Sequence, residues 1–209
     1  MFTADTLTFQ EFMAREKLPL ATIQNAVLEF LRGRNDVAVF GAQAVNAYVK
    51  EPRMTQDVDL LAQHAEEFAQ ELQSYLKEKF HIAVRTREIG AGKGFRLYQV
   101  QKTGNRHLVD IRPVQSLPPT KRIAKILVVV PEELIAGKVI AYHQRRGKPK
   151  SGTDWRDLAM LLLTFPELKR DSGAVLERLQ AADVDRAVLE VWKELVAKEI
   201  VAPNEDDEF

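Results

Sequence analysis

The chain has 209 residues, and its 45% hydrophobic share is enough for one large domain or for one domain with a smaller helical partner. It has no cysteine, which excludes disulfides and thiolate metal sites, and its 30 basic residues balance 30 acidic ones. No apolar run reaches the length of a membrane span, and the N-terminal residues lack the charged-then-apolar plan of a signal peptide. The sequence therefore predicts a soluble, cytoplasmic protein without a membrane partner.

The first part of the chain is predicted to consist of helices followed by one short strand. Helices are expected over residues 1–36, with a break at Pro19. The β-type run VAVF follows, and Gly41 comes directly after it. A helix from Ala42 to Val49 is then predicted from its apolar residues at helical spacing. This part of the sequence is a strand–glycine–helix unit.

The next apolar run carries two aspartates, Asp57 and Asp59. Side chains two apart in a strand point to the same side, so the two carboxylates should converge while Val58 and Leu60 face a core. Neighbouring carboxylates repel each other unless a cation lies between them, and Mg²⁺ commonly binds carboxylates together with substrate phosphates. A D-x-D pair also occurs in turns and on solvated strands, so the strand–glycine–helix unit before it is what favours the metal interpretation.

A third aspartate lies among strands further along the chain. A helix is predicted over residues 64–80, followed by strands over 81–89, 95–101 and 106–114. Asp110 lies in the last of these strands between hydrophobic residues, where an unpaired charge is costly. Two explanations stay open: an ion pair with Arg106 or Arg112, or a third carboxylate beside the D-x-D pair.

The C-terminal third is predicted to be helical. An apolar run over residues 123–130 ends at Pro131, which begins a helix to about Arg146. Thr153 is the expected N-cap of the next helix, and two more helices follow. The predicted organisation has four parts: N-terminal helices over 1–36, an α/β core over 37–130, a helical subdomain over 131–199 and a disordered acidic tail over 200–209.

These residues resemble a known family. Gly41, a helix, Arg53-x-Thr55-x-Asp57-Val58-Asp59-Leu60 and then Asp110 on a later strand are similar to the nucleotidyltransferase fold of the polymerase-β superfamily. A helical Lys138 followed by Asp154 and Asp157 on the next helix resembles the AbiEii-type and minimal nucleotidyltransferases, many of them toxins of toxin–antitoxin pairs. The resemblance implies an α+β fold, with a nucleotidyltransferase-like mixed sheet flanked by helices and a helical C-terminal part.

The resemblance also implies an activity, namely transfer of a nucleoside monophosphate from an NTP to a hydroxyl of RNA, protein or a small molecule. Asp57, Asp59 and Asp110 would hold Mg²⁺ or Mn²⁺, Asp110 would help to deprotonate the acceptor, and Lys138 would bring a positive charge to the phosphates. The implied substrate-binding residues are Gly41, Ala42, Arg53, Thr55, Asp154 and Asp157. Ala42 departs from the Gly or Ser that is usual in the family at a position that contacts phosphate.

Two other functions are considered beside the enzyme. The first is a catalytically degenerate relative that binds a nucleotide, a nucleic acid or a partner protein. The second is a nucleic-acid-binding module, because residues 85–125 are rich in Lys and Arg. If these basic residues flank the site, RNA or a tRNA end becomes the expected acceptor; ordinary solubility is the other explanation. A toxin would also have a cognate antitoxin as a partner.

Overall fold

The computed structural model describes residues 11–12, 16–102 and 104–202. The predicted helix around Phe9 and Met13 and the acidic residues Glu205 to Glu208 therefore fall largely or wholly outside the described residues. The strands are β1 (Val37–Phe40), β2 (Val58–Ala62), β3 (Val84–Ile89), β4 (Gly94–Gln101), β5 (Gly104–Pro113), β6 (Thr120–Ile123) and β7 (Ile126–Val129). The helices are α1 (Leu20–Phe30), α2 (Gly41–Asn46), α3 (Ala65–Phe80), α4 (Pro131–Gln144), α5 (Lys150–Thr164), α6 (Ala174–Ala181) and α7 (Arg186–Ala197). Among the described residues, no helix is both long and apolar enough to cross a membrane.

The strands form one seven-stranded mixed sheet in the order β3-β4-β5-β2-β1-β7-β6. β2 runs parallel to β5, and β1 runs parallel to β7, whereas the other neighbouring pairs are antiparallel. The predicted fold class, α+β with a mixed sheet flanked by helices, is confirmed. β5 and β2 therefore lie side by side near the middle of the sheet.

One face of the sheet is covered by α3, which packs against β2 to β5. The helix turns Phe68, Leu72 and Leu76 inward, at a spacing of four residues. From β2, Val58 and Leu60 are fully buried, as the alternating sequence predicts. Burial of each such side chain contributes about 1.5–3 kcal/mol. The register of β2 is therefore fixed, and Asp59 is held on the opposite face.

The sequence-based prediction missed strand β6. Residues 123–130 were predicted to form one run, but Ile123 ends β6 and Ile126 begins β7, and these two residues pair across a hairpin. The two residues between them, Ala124 and Lys125, have φ values of 48° and 70°. Tight hairpin turns need positive φ, and Gly, Asn or Asp usually provide it. Because neither turn residue is of that kind, the sequence carries no turn signal here.

The predicted N-cap at Thr153 is wrong. Helix α5 begins at Lys150, and the Thr153 hydroxyl donates a hydrogen bond of 2.8 Å to the carbonyl of that residue. A threonine inside a helix can bond back to the preceding turn in this way, so its presence does not mark a helix start. Asp154 consequently lies one turn inside α5, where its side chain is buried. Helix α2 is likewise shorter than predicted and ends at Asn46.

The chain divides into two compact units. The first comprises Met1–Gln43 and Arg53–Val129 and contains the sheet, and the second comprises Ala44–Pro52 and Val130–Phe209. Within the second unit, the ring of Tyr48 meets the ring of Phe165 edge-on, with centroids 5.7 Å apart. The Glu51 carbonyl accepts a hydrogen bond of 3.1 Å from Arg156. A short piece of chain from the first half is thus built into the helical unit.

The hairpin between β6 and β7 leads to a stability prediction. The double substitution Ala124→Asn, Lys125→Gly should raise the free energy of unfolding by about 1 kcal/mol, because Gly removes the cost of a left-handed backbone at residue 125. Urea denaturation measures this change. As a control, Lys121→Gly in the extended strand β6 should lower the free energy of unfolding by about 0.5–1 kcal/mol. A double variant less stable than wild type would contradict the turn geometry.

Candidate active site

Four charged residues form one row across the sheet. Strand pairing places Arg87 opposite Arg96, and Arg96 opposite Asp110. The row continues to β2, where Asp59 pairs with Asp110. Residues directly opposite each other project from the same face of a sheet. We call this face, opposite the one covered by α3, the site face; it carries two acidic residues beside two basic ones.

Asp57 reaches the site face from the residue just before β2, not from within the strand as predicted. Its Oδ2 atom lies 3.2 Å from Nδ1 of His107, and Nε2 of His107 lies 2.9 Å from Oδ1 of Asp110. One ligand atom from each of these three residues lies within 4.8 Å of the others. We call Asp57, His107 and Asp110 the acidic cluster.

His107 is a site residue that the sequence analysis missed. In a regular strand, residues 107 and 110 would project from opposite faces. The pairing of β4 with β5 shifts by one residue between Leu97 and Tyr98, which leaves Leu108 as an extra residue in β5. Such a bulge re-aims the side chains that follow it and brings His107 to the face of Asp110. The bulge also explains why four consecutive residues, Leu108 to Ile111, are buried in β5.

Arg96 holds the carboxylate of Asp110 with both arms of its guanidinium. Nε of Arg96 lies 2.6 Å from Oδ1, and the Nη2 atom lies 2.6 Å from Oδ2. Asp110 is 7% exposed. Burial alone would raise the pKa of this carboxyl group, but hydrogen bonds from His107 and Arg96 outweigh it and hold the pKa of Asp110 well below its usual range. Asp110 is therefore ionised and a poor proton acceptor.

The prediction that Asp110 forms an ion pair with Arg106 or Arg112 is wrong. Arg106 forms an ion pair of 3.0 Å with Glu11, and the Arg112 guanidinium lies over the ring of Phe40, 4.9 Å from its centroid. Both arginines are close to Asp110 in sequence, but strand pairing decides which residue lies beside it. Arg96 is fourteen positions away and becomes its neighbour only through the β4–β5 register.

Gly41 and Asp59 are in close contact. Gly41 has φ of 67°, which a residue with a side chain rarely adopts, and a Cβ atom there would lie 2.8 Å from Cγ of Asp59. Only glycine therefore fits where β1 turns into α2 above Asp59. Asp59 is not a member of the acidic cluster, and its assignment as a metal ligand stays a prediction.

The loop that leads to Asp57 is held by two glutamines. Gln43 donates a hydrogen bond of 2.7 Å to the Thr55 hydroxyl, and Gln24 donates one of 3.0 Å to the Thr55 carbonyl. Arg53 donates to the carbonyl of Met54 at 3.2 Å. These contacts give Thr55 a role in positioning the loop, and substrate binding by Ala42, Arg53 and Thr55 stays a prediction.

The second unit contains its own charged group. Nζ of Lys138 lies 2.6 Å from Asp157 and 3.4 Å from Asp154, and Arg145 lies 2.8 Å from the other oxygen of Asp154. Both aspartates are buried, at 1% exposure or less. Their spacing of three residues places them on one face of α5, toward α4. The structure therefore brings Lys138, Asp154 and Asp157 together, with Arg145 as a partner that the sequence analysis missed.

The basic stretch does not form one surface. β3 and β6 are the two edge strands of the sheet, so Arg85 and Arg87 lie at one edge, and Lys121 and Arg122 lie at the other. Arg96 is committed to Asp110. The prediction that all these basic residues flank one cleft is therefore wrong. Arg85 and Arg87 both project from the site face, whereas Lys121 and Arg122 are consecutive in β6, and the strand register puts Arg122 alone of those two on that face.

The acidic cluster fits a divalent cation. Two carboxylates and one imidazole offer oxygen and nitrogen atoms within a few ångströms of one another, a donor set suited to Mn²⁺ and related ions as well as Mg²⁺. The close approach of Gly41 leaves no side chain between α2 and Asp59. The Arg96 guanidinium, however, already places a positive charge on both oxygens of Asp110.

The family profile described as "Nucleotidyl transferase AbiEii toxin, Type IV TA system" matches residues 26–206. The chain belongs to this AbiEii family. No curated protein matches the sequence. The fold of this AbiEii-family chain is similar to that of the Megavirus polyadenylate synthase, at 13% identity and a TM-score of 0.61, over 78% of this chain and 35% of that one. The chain thus spans about a third of that synthase.

A second solved structure, JHP933 from Helicobacter pylori, has 12% identity and a TM-score of 0.53. In that comparison, 91% of the AbiEii-family chain matches 90% of the other chain. At these identities the two likenesses show a common fold.

The ion pairs of the second unit lead to a prediction about Lys138. Lys138→Met should lower the free energy of unfolding by about 3–5 kcal/mol, because it removes a cation from between two buried carboxylates. Thermal and urea denaturation measure the loss. The control is Lys193→Met, whose ion pair with Glu190 is exposed and should contribute less than about 1 kcal/mol. Equal stability of both variants would show that the buried pairs are not held by Lys138.

Proposed function

We propose that this chain is a divalent-metal-dependent nucleotidyltransferase that moves a nucleoside monophosphate from an NTP to an acceptor hydroxyl. The observation that supports the proposal is the register pairing of Asp59 with Asp110 on one face of the sheet. Asp57 and His107 join Asp110 at that place, and Gly41 lies against Asp59 without a side chain. A divalent cation would neutralise this concentration of negative charge and would let the negatively charged triphosphate approach it.

In the proposed reaction, the acceptor oxygen forms a bond to the α-phosphorus, and the bond from that phosphorus to the bridging oxygen of the β-phosphate breaks. Pyrophosphate leaves with the electron pair of that bond. The hydroxyl proton passes to solvent. While Arg96 and His107 are paired with Asp110, they hold its pKa well below the usual range, which makes this carboxylate a poor base in that state. The expectation that Asp110 helps to deprotonate the acceptor stays a prediction.

The side chains have distinct proposed roles. Asp57 and Asp59 bind the divalent ion, which supplies positive charge to the phosphate oxygens when bound. Gly41 lets the backbone approach the phosphates, because no Cβ is present. Ala42, which lacks a hydroxyl, leaves phosphate binding at this turn to backbone groups. Lys138 is held by Asp154 and Asp157 within the second unit, and its role as a cation for the pyrophosphate stays a prediction from the family resemblance.

The family membership supports a proposed biological role as well. We infer that the chain acts as the toxin of a toxin–antitoxin pair and slows growth when it is produced without its antitoxin. The alternative is a catalytically degenerate relative that only binds a nucleotide or a partner. Toxicity that depends on Asp57 separates the two, because a binding protein keeps its effect when a metal ligand is neutralised.

The first test neutralises each aspartate in turn. Asp57→Asn and Asp59→Asn should each lower nucleotidyl transfer by about 10²-fold or more, the scale of losing one group that stabilises a transition state. Transfer of label from α-³²P-labelled NTPs to RNA and protein, with Mg²⁺ or Mn²⁺, measures the rate, and growth after induction measures toxicity. Asp171→Asn, at an exposed position, is the control and should match wild type. Full activity in either variant would refute the metal-site assignment.

We further propose RNA as the acceptor, because Arg85 and Arg87 are exposed on the site face of edge strand β3. On β4, Tyr98 lies beside His107, with ring centroids 5.7 Å apart. Arginines beside an aromatic ring suit a single-stranded nucleic acid, whose backbone and bases need positive charge and stacking. A neutral small molecule would gain little binding energy from the positive charges of this surface.

This proposal predicts a change in the salt dependence of RNA binding. Arg85→Ala with Arg87→Ala should weaken binding of bulk tRNA and reduce the slope of log K against log salt by roughly 0.7 for each lost phosphate contact. Fluorescence anisotropy over a salt series measures the slope. Lys121→Ala with Lys125→Ala removes the same charge near the opposite edge and should leave the slope unchanged. Identical slopes for both double variants would exclude RNA contacts on β3.

A further inference from the structure

Asp110 has little capacity left for another partner. A carboxylate offers about four acceptor positions. Arg96 takes one on each oxygen at 2.6 Å, and His107 lies 2.9 Å from Oδ1. A metal ion bound to the same oxygens would lie about 2 Å from them, next to the guanidinium. Two positive charges at that separation repel each other strongly in a partly buried place.

Arg96 is the more exposed member of its ion pair with Asp110. The strand around it is anchored by Leu97, which is fully buried, whereas the Arg96 side chain is 33% exposed. Rotation about its side-chain bonds would carry the guanidinium away from Asp110 and from Tyr98, its second hydrogen-bond partner. The Asp110 side chain, at 11% exposure, stays fixed within β5. In this pair, Asp110 is therefore held in place by its strand, whereas the Arg96 guanidinium is free to move away.

We propose that Arg96 is an internal competitor of the divalent cation, so that Asp110 binds either the guanidinium or the metal ion. The inference rests on the proposed metal-dependent function and adds a control over when the site loads. With Arg96 paired, Asp110 is closed to metal and the cation has only the remaining carboxylates. Metal binding at Asp110 requires Arg96 to rotate away. The apparent affinity for the metal ion is therefore the affinity of the open form multiplied by the fraction of chains in which the Arg96–Asp110 pair is open.

The test is binding of Mn²⁺ to the full-length protein, followed through the electron paramagnetic resonance signal of free Mn²⁺. Arg96→Met should bind Mn²⁺ about tenfold more tightly than wild type, because the competitor is gone. Arg96→Lys, which keeps the charge but loses the two-armed contact, should lie between them. Arg112→Met is the matched control, since it removes one arginine from the same face of β5 and should change the affinity less than Arg96→Met does.

A further variant shows where the gain arises. Arg96→Met combined with Asp110→Asn should lose the tighter binding, because the released carboxylate is no longer charged. If Arg96→Met folds poorly without metal, Arg96→Lys carries the comparison, and a larger rise of its melting temperature with Mn²⁺ than that of wild type supports competition. Affinity in both Arg96 variants equal to or weaker than wild type overturns the proposal.

The same titration separates this proposal from the proposed function. If wild type binds Mn²⁺ and transfers nucleotides, and the Arg96 variants bind it no more tightly, then competition is wrong and the enzyme assignment stands. If neither wild type nor the Arg96 variants bind Mn²⁺ and no label is transferred, both proposals fail. If only the Arg96 variants bind Mn²⁺, the competition is strong enough to keep the wild-type site closed.

Discussion

An ionised carboxylate inside a sheet is the constraint on which the first unit depends. Asp110 is buried, and its charge is tolerable only because Arg96 and His107 face it from the neighbouring strand and from its own strand. The β4–β5 register supplies one partner, and the shift at Leu97 supplies the other. A slip of one residue would turn Asp110 toward the core under α3, so the ion pair and the hydrophobic face specify the same register.

Sequence periodicity predicted most of the fold, because long apolar patterns determine most elements. Strands β1, β4 and β5 and helix α3 follow from their apolar runs, alternation or helical spacing, and the D-x-D pair pointed to the candidate site. Local geometry without a sequence signal accounts for the failures. Ala124 and Lys125 form a tight turn, although their residue types are not typical of such turns. His107 reaches Asp110 only through a bulge in β5. Arg96 required knowledge of strand pairing, which single-sequence patterns do not contain.

The two units handle buried acids in different ways. In the helical unit, Asp154 and Asp157 meet Lys138 through spacing within and between two adjacent helices, so a sequence pattern was enough to pair them. In the sheet unit, the acidic cluster combines Asp57, just before β2, with His107 and Asp110 of β5, and its cation, Arg96, comes from the neighbouring strand β4. Buried ion pairs add little net stability compared with apolar packing, but they penalise wrong arrangements heavily.

The path of the chain also limits how the protein can be divided. Residues 44–52 leave the sheet unit, enter the helical unit and return, so that unit is made from two separate stretches. Burial raises the pKa of the Tyr48 hydroxyl to about 12, with the nearby Glu132 acting in the same direction. A fragment that begins at Val130 would lack this tyrosine and leave the ring of Phe165 without its edge-on neighbour. The helical part is therefore no detachable module, and a single cut in the gene cannot yield both units intact.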